Sequence, residues 1–281
     1  MSFLDRIAEC NAHDPANFRP FCIDGAIVGW IKHAFAERLA AFPEAFAVSP
    51  EEVRPAAQLR GFSDRSAAVE AVLRRLAADG TIAGWRDENY PVAADFAAPP
   101  LMQMERAAVP FFGVRAYGVH LNGYVRSAEG LKMWVARRAR GKQTYPGMLD
   151  NLVAGGQPIG LGIRENLTKE CAEEAAIPPE LAARAVPAGA ISYRQETPEG
   201  LKPDVQFVYD LELPPDFVPR NTDGEIESFH LWPIERVAEI VAETTEFKFN
   251  CNLVVIDFLV RHGLIGPERP DYVEIVAGLH R

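Results

Sequence analysis

The chain has 281 residues, 48% of them hydrophobic, and a formal net charge of −10. That is enough apolar material for one large or two modest domains with substantial cores. The acidic balance argues against DNA or RNA as a partner, so an anionic substrate has to be captured locally, by Arg, Lys or a metal.

No apolar run approaches the roughly 18 residues of a membrane span, and the start, Met1-Ser2-Phe3-Leu4-Asp5-Arg6, has no long apolar core. The four cysteines, Cys10, Cys22, Cys171 and Cys251, show no CxxC spacing and read as buried reduced thiols. A soluble protein in the reducing cytoplasm is expected, with no membrane partner.

In chain order, residues 3–13 read as a short amphipathic helix. Asp24-Gly25 between apolar runs predicts a hairpin. Ile31 to Phe42 reads as a helix ended by Pro43, and Phe46 to Val48 as a short strand. Ser49-Pro50-Glu51-Glu52 has the form of a helix start, although Pro55 keeps such a helix short. Asp64-Arg65-Ser66 opens a clear helix with Val69, Val72, Leu73 and Leu76, closed near Asp79-Gly80. Ile82 to Trp85 reads as a strand, and residues 87–100, rich in Pro and Ala, as a connection. His13 and His33 have no partner at metal-ligand spacing. This first region carries no evident chemistry of its own.

From Phe111 the pattern changes to longer strands, Val114 to Val125 and Leu131 to Arg138. The second puts Leu131, Met133 and Val135 on one face, and Trp134 and Ala136 on the other. Arg137 and Arg138 close it, either as a solvated strand end or as a phosphate clamp, since arginine presents a planar fork of donors. Further on, Ala188 to Arg194 and Val205 to Leu213 read as strands joined by the polar loop from Gln195 to Pro203. Asp223-Gly224 is a turn. After it Glu225, Glu227 and Phe229 alternate onto one strand face, and the two carboxylates could supply a metal ligand or a base. Pro233 opens a helix, and Phe249 to His262 is a long apolar one.

Residues 155–177 organise the rest. Gly155, Gly156, Gly160 and Gly162 form a glycine-rich loop that permits tight backbone approach and positive φ. The loop enters a helix with Gly162 as N-cap and Glu165 supplying half of a capping box, and its amides could cradle an anion. On that helix Glu170 neighbours both Glu173 and Glu174, a crowding that destabilises a bare helix and that a hard divalent cation would reverse. At about 100° per residue, Ile163, Leu167, Cys171 and Ala175 form the apolar stripe. Glu174 falls inside one edge of it, with Glu170 and Glu173 progressively farther out. A partly buried, unpaired carboxylate is costly unless compensated.

The stretch resembles the Nudix box: Gly, five residues, Glu, seven residues, Arg-Glu, an aliphatic residue, any residue, Glu-Glu, any residue, Gly, aliphatic. Gly155, Glu170, Glu173, Glu174 and Ile177 match in register. Leu161, Lys169 and Ala176 stand where the pattern has Glu, Arg and Gly. The same departures look like the thiamine-pyrophosphokinase-related Nudix subgroup, whose members carry an extra N-terminal domain. The resemblance includes Phe21-Cys22-Ile23-Asp24-Gly25, Lys132-Met133-Trp134-Val135-Ala136-Arg137-Arg138, Tyr145-Pro146-Gly147-Met148-Leu149-Asp150-Asn151, Asp223-Gly224-Glu225-Ile226-Glu227-Ser228-Phe229 and the run from Asn250 to Phe258.

The resemblance implies an α+β protein: a Nudix α/β/α sandwich with a mixed sheet over residues 111–281, preceded by a small α+β domain over residues 1–110. It implies a metal-dependent pyrophosphohydrolase acting on a small-molecule diphosphate. Glu170, Glu173 and Glu174 would hold Mg²⁺ or Mn²⁺, and Glu174, Glu173, Glu225 and Glu227 are the catalytic candidates. Gly155, Gly156, Arg137, Arg138 and Lys169 are the substrate-binding candidates. The subgroup implies thiamine diphosphate or its oxidised analogues, with Trp134, Tyr193 or Phe249 stacking on the ring. Hydrolysis of nucleoside diphosphate derivatives, a non-catalytic diphosphate-binding module and isomerase chemistry are the alternatives. A homodimer is compatible with the sequence.

Overall fold

In the computed structural model, which describes residues 2–280, Asp24 and Gly25 both take positive φ, 51° and 83°. They join the antiparallel strands Phe18–Ile23 and Ala26–Lys32. This is the mirror-image turn that matches strand twist. Two shorter strands complete a four-stranded sheet: Val53–Pro55 runs parallel to Phe18–Ile23, and Phe46–Val48 lies outside it.

Ser49 does what a capping residue does, its hydroxyl accepting from the Glu51 and Glu52 amides at 3.2 Å each, yet no helix follows. The expectation is corrected here: the same bonds close a tight turn between two strands. Val53 enters the sheet opposite Phe21, and Pro55 leaves no room for a helical ladder. The helix Gly61–Ala78 adds Val69, Val72, Leu73 and Leu76, all buried, to the core that also holds Phe21, Val28 and Val53 of this sheet.

The strand expected at residues 82–85 is absent. The strands instead are Asn89–Val92 and Met102–Glu105, an antiparallel pair with Tyr90, Val92, Met102 and Met104 buried. Composition hid them, because Pro91 and the Ala-Pro stretch beyond look like a linker.

The second sheet has seven strands. Its main path runs Val186–Ser192, Val205–Glu212, Tyr117–Ser127, Gly130–Arg138, Ile226–Pro233. Val153–Gly156 also pairs with Tyr117–Ser127, and Leu149–Asp150 with Gly130–Arg138. Val205–Glu212 is parallel to Tyr117–Ser127 and the other pairings are antiparallel, so the sheet is mixed.

Alternation along Gly130–Arg138 assigns the two faces. Met133 and Val135 join a core with the helices Ile234–Glu243, Phe249–Arg261 and Tyr272–Gly278. Trp134, with Val119, Leu121 and Tyr209, packs under the helix Ile163–Ala175. Helices therefore lie on both faces, the α/β/α layering expected.

The first helix packs against the C-terminal part of the chain. Phe3–Cys10 starts with a capping box at Ser2 and buries Phe3, Ile7 and Cys10 in the core built around Phe249–Arg261. Gly278 permits that approach, since a Cβ there would fall 2.5 Å from an Ile7 methyl. No helix among the described residues is long and apolar enough to cross a membrane.

Candidate active site

The helix Ile163–Ala175 begins at Gly162, whose amide is within 3.5 Å of the Glu165 carboxylate. It ends at Ala176, which takes the left-handed conformation at φ 52° while the Ile177 amide reaches back to the Cys171 carbonyl. Leu167, Cys171 and Ala175 are buried beneath it.

Exposure of the acidic residues follows the expected order. Glu174 is 5% exposed, while the side chains of Glu170 and Glu173 are 14% and 46% exposed. One Glu174 oxygen accepts from the Ala154 amide at 2.8 Å. Burial, and next the charge of Asp150, hold its carboxyl well above the usual range.

Glu170 lies over Gly155, where a Cβ would sit 2.3 Å from its carboxyl carbon. Burial also raises Glu170, against the opposing pull of Lys169. Lys169 bridges Glu170 at 3.2 Å and Glu173 at 3.0 Å, which turns Glu173 outward. So Glu170 and Glu174 are gathered against the strand Val153–Gly156, and Glu173 stands at the rim.

The remaining candidates divide. Glu225 pairs with Lys142, which outweighs burial and lowers its carboxyl, and its charge reaches Glu174. Glu227 does not share its face as expected. A bulge between Ile226 and Ser228 makes Glu227 the extra residue, and it lies 3.5 Å from Arg140.

The clamp expected of Arg137 and Arg138 is corrected as well. Arg137 donates to the Gly147 carbonyl and to Glu246. Arg138, 6% exposed, donates to Asp150 at 2.8 Å and to the carbonyls of Tyr145 and Thr144. Both guanidinium groups spend donors on the segment 144–150, and Arg137 on Glu246 as well.

The glycine loop is not an open amide cradle either. The Gln157 amide donates to Tyr117, that of Ile159 to Asn89, and Gly162 faces Glu165. Of its four glycines only Gly160 has positive φ, at 84°. Gly155 and Gly156 serve close approach: a Cβ on Gly156 would fall 1.6 Å from the Tyr90 hydroxyl. Gly155→Ala is therefore expected to push Glu170 off its seat. Activity should fall about 10–100-fold, as when a ligand's support is removed, with little change in circular dichroism. Wild-type turnover in this variant would mean that Glu170 has no fixed role.

Beside Ala154, Gly155 and Gly156 opens a cleft of about 970 Å³. Tyr90 and Arg106 reach it from the N-terminal part, and Tyr193, Lys202, Asp204, Lys248, Phe249 and Asn250 from the C-terminal part. Tyr193 meets Phe249 edge-on at 5.6 Å and donates to Asp204 at 3.1 Å. Trp134, the third aromatic expected to stack, lies on the opposite face of the sheet.

The cleft-lining residues His120 and Lys248 touch a buried polar knot that sequence reading missed. Its signal was there: Asn250 and Asn252 interrupt the apolar first turns of a helix, and both are buried. His120, Asp150 and Cys251 place ligand atoms within 4.8 Å of one another. Their partners are already internal, however. Cys251 donates to Asp150 at 2.7 Å, the Asn151 amide and Arg138 also donate to Asp150, and His120 pairs with Asn151. Burial raises Asp150, but Lys248, Arg138 and His120 outweigh it and bring it down to about 2. Burial and then Lys248 push His120 down to about 4. With two cations beside it, this knot is a structural network.

Residues 2–116 match a family model described as a domain of unknown function, DUF4743. The chain is 45% identical over 284 aligned positions to Nudix hydrolase 20, chloroplastic, of Arabidopsis thaliana, covering 97% of this chain and 76% of the plant protein. The chain belongs to the Nudix hydrolases. Nudix hydrolase 24, chloroplastic, from the same plant is also 45% identical, over 277 positions, with 97% and 76% covered. Among solved structures, the Nudix domain of Shewanella oneidensis NrtR complexed with ADP ribose aligns with a TM-score of 0.43 and 13% identity, covering 54% of this chain and 90% of that one.

As a Nudix hydrolase the protein is an enzyme of diphosphate bonds, and enzymes of this family generally use divalent metal ions. The donor set fits such an ion. Glu174 is a buried carboxylate without a cationic partner among the described residues, and Glu170 sits in a space that any side chain at Gly155 would fill.

Proposed function

We propose that this Nudix hydrolase cleaves a small-molecule diphosphate to a monophosphate with Mg²⁺ or Mn²⁺. Glu170 and Glu174 would hold the cation and Glu173 would close on it from the rim. One observation carries the reading: the strand that seats Glu170 and Glu174 also forms the wall of the cleft, through Ala154, Gly155 and Gly156. When bound, a divalent cation neutralises diphosphate oxygens and acidifies water. Phosphoryl transfer needs positioning and electrostatics rather than a covalent nucleophile. This chain would supply them as Glu170 and Glu174, seated on the strand that walls the cleft, and as Lys202 and Lys248, which line it. Glu225, paired with Lys142 and near enough for its charge to bear on Glu174, would be a proton acceptor near the site. Leu161 removes one carboxylate from the box, which reduces the number of ions the site can hold.

For the organic half we infer thiamine diphosphate or its oxidised analogues. Tyr193 and Phe249 support a flat ring, and Asp204, a buried carboxylate hydrogen-bonded to Tyr193, supports a cationic or donor-bearing one. The net charge of −10 supports an enclosed small molecule over nucleic acid. Four buried free cysteines support a reducing, cytoplasmic setting.

The test is monophosphate release from thiamine diphosphate, its oxo and oxy analogues, ADP-ribose and dinucleotides, with Mg²⁺, with Mn²⁺ or with EDTA. Turnover is expected with either metal and none with EDTA. Preference for ADP-ribose or dinucleotides would move the assignment to nucleoside diphosphate derivatives. Release from none of the panel would leave a diphosphate-binding module.

A further inference from the structure

The cation nearest the glycine loop comes from the other half of the chain. Arg106 follows the strand Met102–Glu105 and opens a single 3-10 turn, Arg106–Ala108. Its backbone is fixed from below. Glu105, 2% exposed, accepts from the amides of Ala107 at 3.1 Å and Arg86 at 2.9 Å.

The guanidinium points into the cleft beside Gly156. A Cβ on Gly156 would fall 3.4 Å from the Arg106 guanidinium carbon, and the Tyr90 ring lies 5.7 Å beneath that carbon. Arginine has five N–H donors. Among the described residues only one acceptor is found, Glu88 at 2.8 Å from Nη1. The side chain is 46% exposed, and it lines the cleft. Glu170 and Glu225 are near enough for their charges to bear on it, yet neither forms an ion pair with it among the described residues.

A half-exposed guanidinium with donors to spare, lining a cleft near acidic side chains, can take an anion there. Arginine's planar fork suits phosphate oxygens. In a chain of net charge −10, such a cation is the local capture that an anionic substrate requires. We infer that Arg106 is a substrate-binding residue, through which the N-terminal unit completes the active site by clamping the diphosphate. The Tyr90 ring lies under the guanidinium as a cation–π partner. This gives the domain of unknown function a task in catalysis, and it rests on the diphosphate reading above.

The experiment compares Arg106→Gln, Arg106→Lys and Glu88→Gln with the wild type, and uses Arg75→Gln, paired with Glu44 on the surface, as control. Two quantities are read: KM against kcat for the best diphosphate, and calorimetric binding of methylenediphosphonate with Mg²⁺, which needs no turnover. Arg106→Gln is expected to weaken both KM and probe binding about 10–100-fold, the effect of losing charged hydrogen bonds to phosphate. Arg106→Lys should recover part of this, while Glu88→Gln and Arg75→Gln should behave as the wild type. Equal losses in Glu88→Gln and Arg106→Gln would make the pair a mere brace and overturn the inference. Unchanged probe affinity in Arg106→Gln, or no probe binding by the wild type, overturns it too. Arg106-dependent probe binding without turnover of any diphosphate keeps the clamp and removes the hydrolytic assignment alone.

Discussion

Glu174→Gln is expected to stabilise the metal-free protein while nearly abolishing its activity. The carboxylate is 5% exposed and accepts one hydrogen bond, from the Ala154 amide, which a glutamine oxygen can accept equally well. What the substitution removes is the cost of a buried acid with no cation among the described residues, borne either as a desolvated charge or as the uptake of a proton. Relieving that is worth about 1–2 kcal/mol on the scale of imperfectly paired buried polar groups. For a chain of this size, that gain raises the melting temperature by roughly 2–6 °C. The same charge is what the cation would need, so kcat should fall about 10²–10³-fold, the usual loss when a preorganised electrostatic group is removed. Melting in EDTA and turnover in Mg²⁺ read the two effects separately. A variant that melts lower in EDTA, or that keeps wild-type kcat, would show that Glu174 is a structural acid.

Asp150→Ala should do the opposite, losing stability first. Asp150 is 2% exposed and Arg138 is 6% exposed, and they meet at 2.8 Å. Removing one partner of a buried pair leaves the other uncompensated and costs about 3–5 kcal/mol. Here Lys248, 3.9 Å from the same carboxylate, loses its partner too. The knot joins the strand Leu149–Asp150 to Gly130–Arg138 and to the helix Phe249–Arg261, so the loss should show as one lowered urea midpoint. The pH dependence has a definite sign. The folded carboxyl lies at about 2, below its unfolded value, so its stabilisation is complete above the unfolded pKa. It drains away as pH falls through roughly 4 towards 2. Wild type and Asp150→Ala should therefore converge in stability as acid is added. A constant difference between them down to that range would remove the ionised pair from the account.

These two residues differ in how visible they were beforehand. Glu174 was legible from angular position alone, because helical periodicity placed it at the edge of the Leu167–Cys171–Ala175 stripe. Asp150 was not, because its partners come from positions 138, 248 and 251. The same contrast runs through the errors. Ser49 had the right atoms for a helix cap, but the next residues met an open strand edge. Arg138 had the right chemistry for a phosphate clamp, but Asp150 and the carbonyls of Thr144 and Tyr145 reached it first. Glu227 had the right alternation until a bulge inserted one residue.

Local chemistry determined the hairpin at Asp24-Gly25, the two-faced strand Gly130–Arg138, the box helix with its graded acidic flank, and membership of a family of diphosphate hydrolases. Each depends on residues within a turn or two of one another, where side-chain spacing and backbone geometry act directly. Tertiary structure alone decided that the first helix packs with the last ones, that Gly155 and Gly156 give close approach to Glu170 and Tyr90, and that Arg106 reaches the cleft. Those outcomes are set by which distant groups compete for the same donor or the same space, and no periodicity along the chain records that competition.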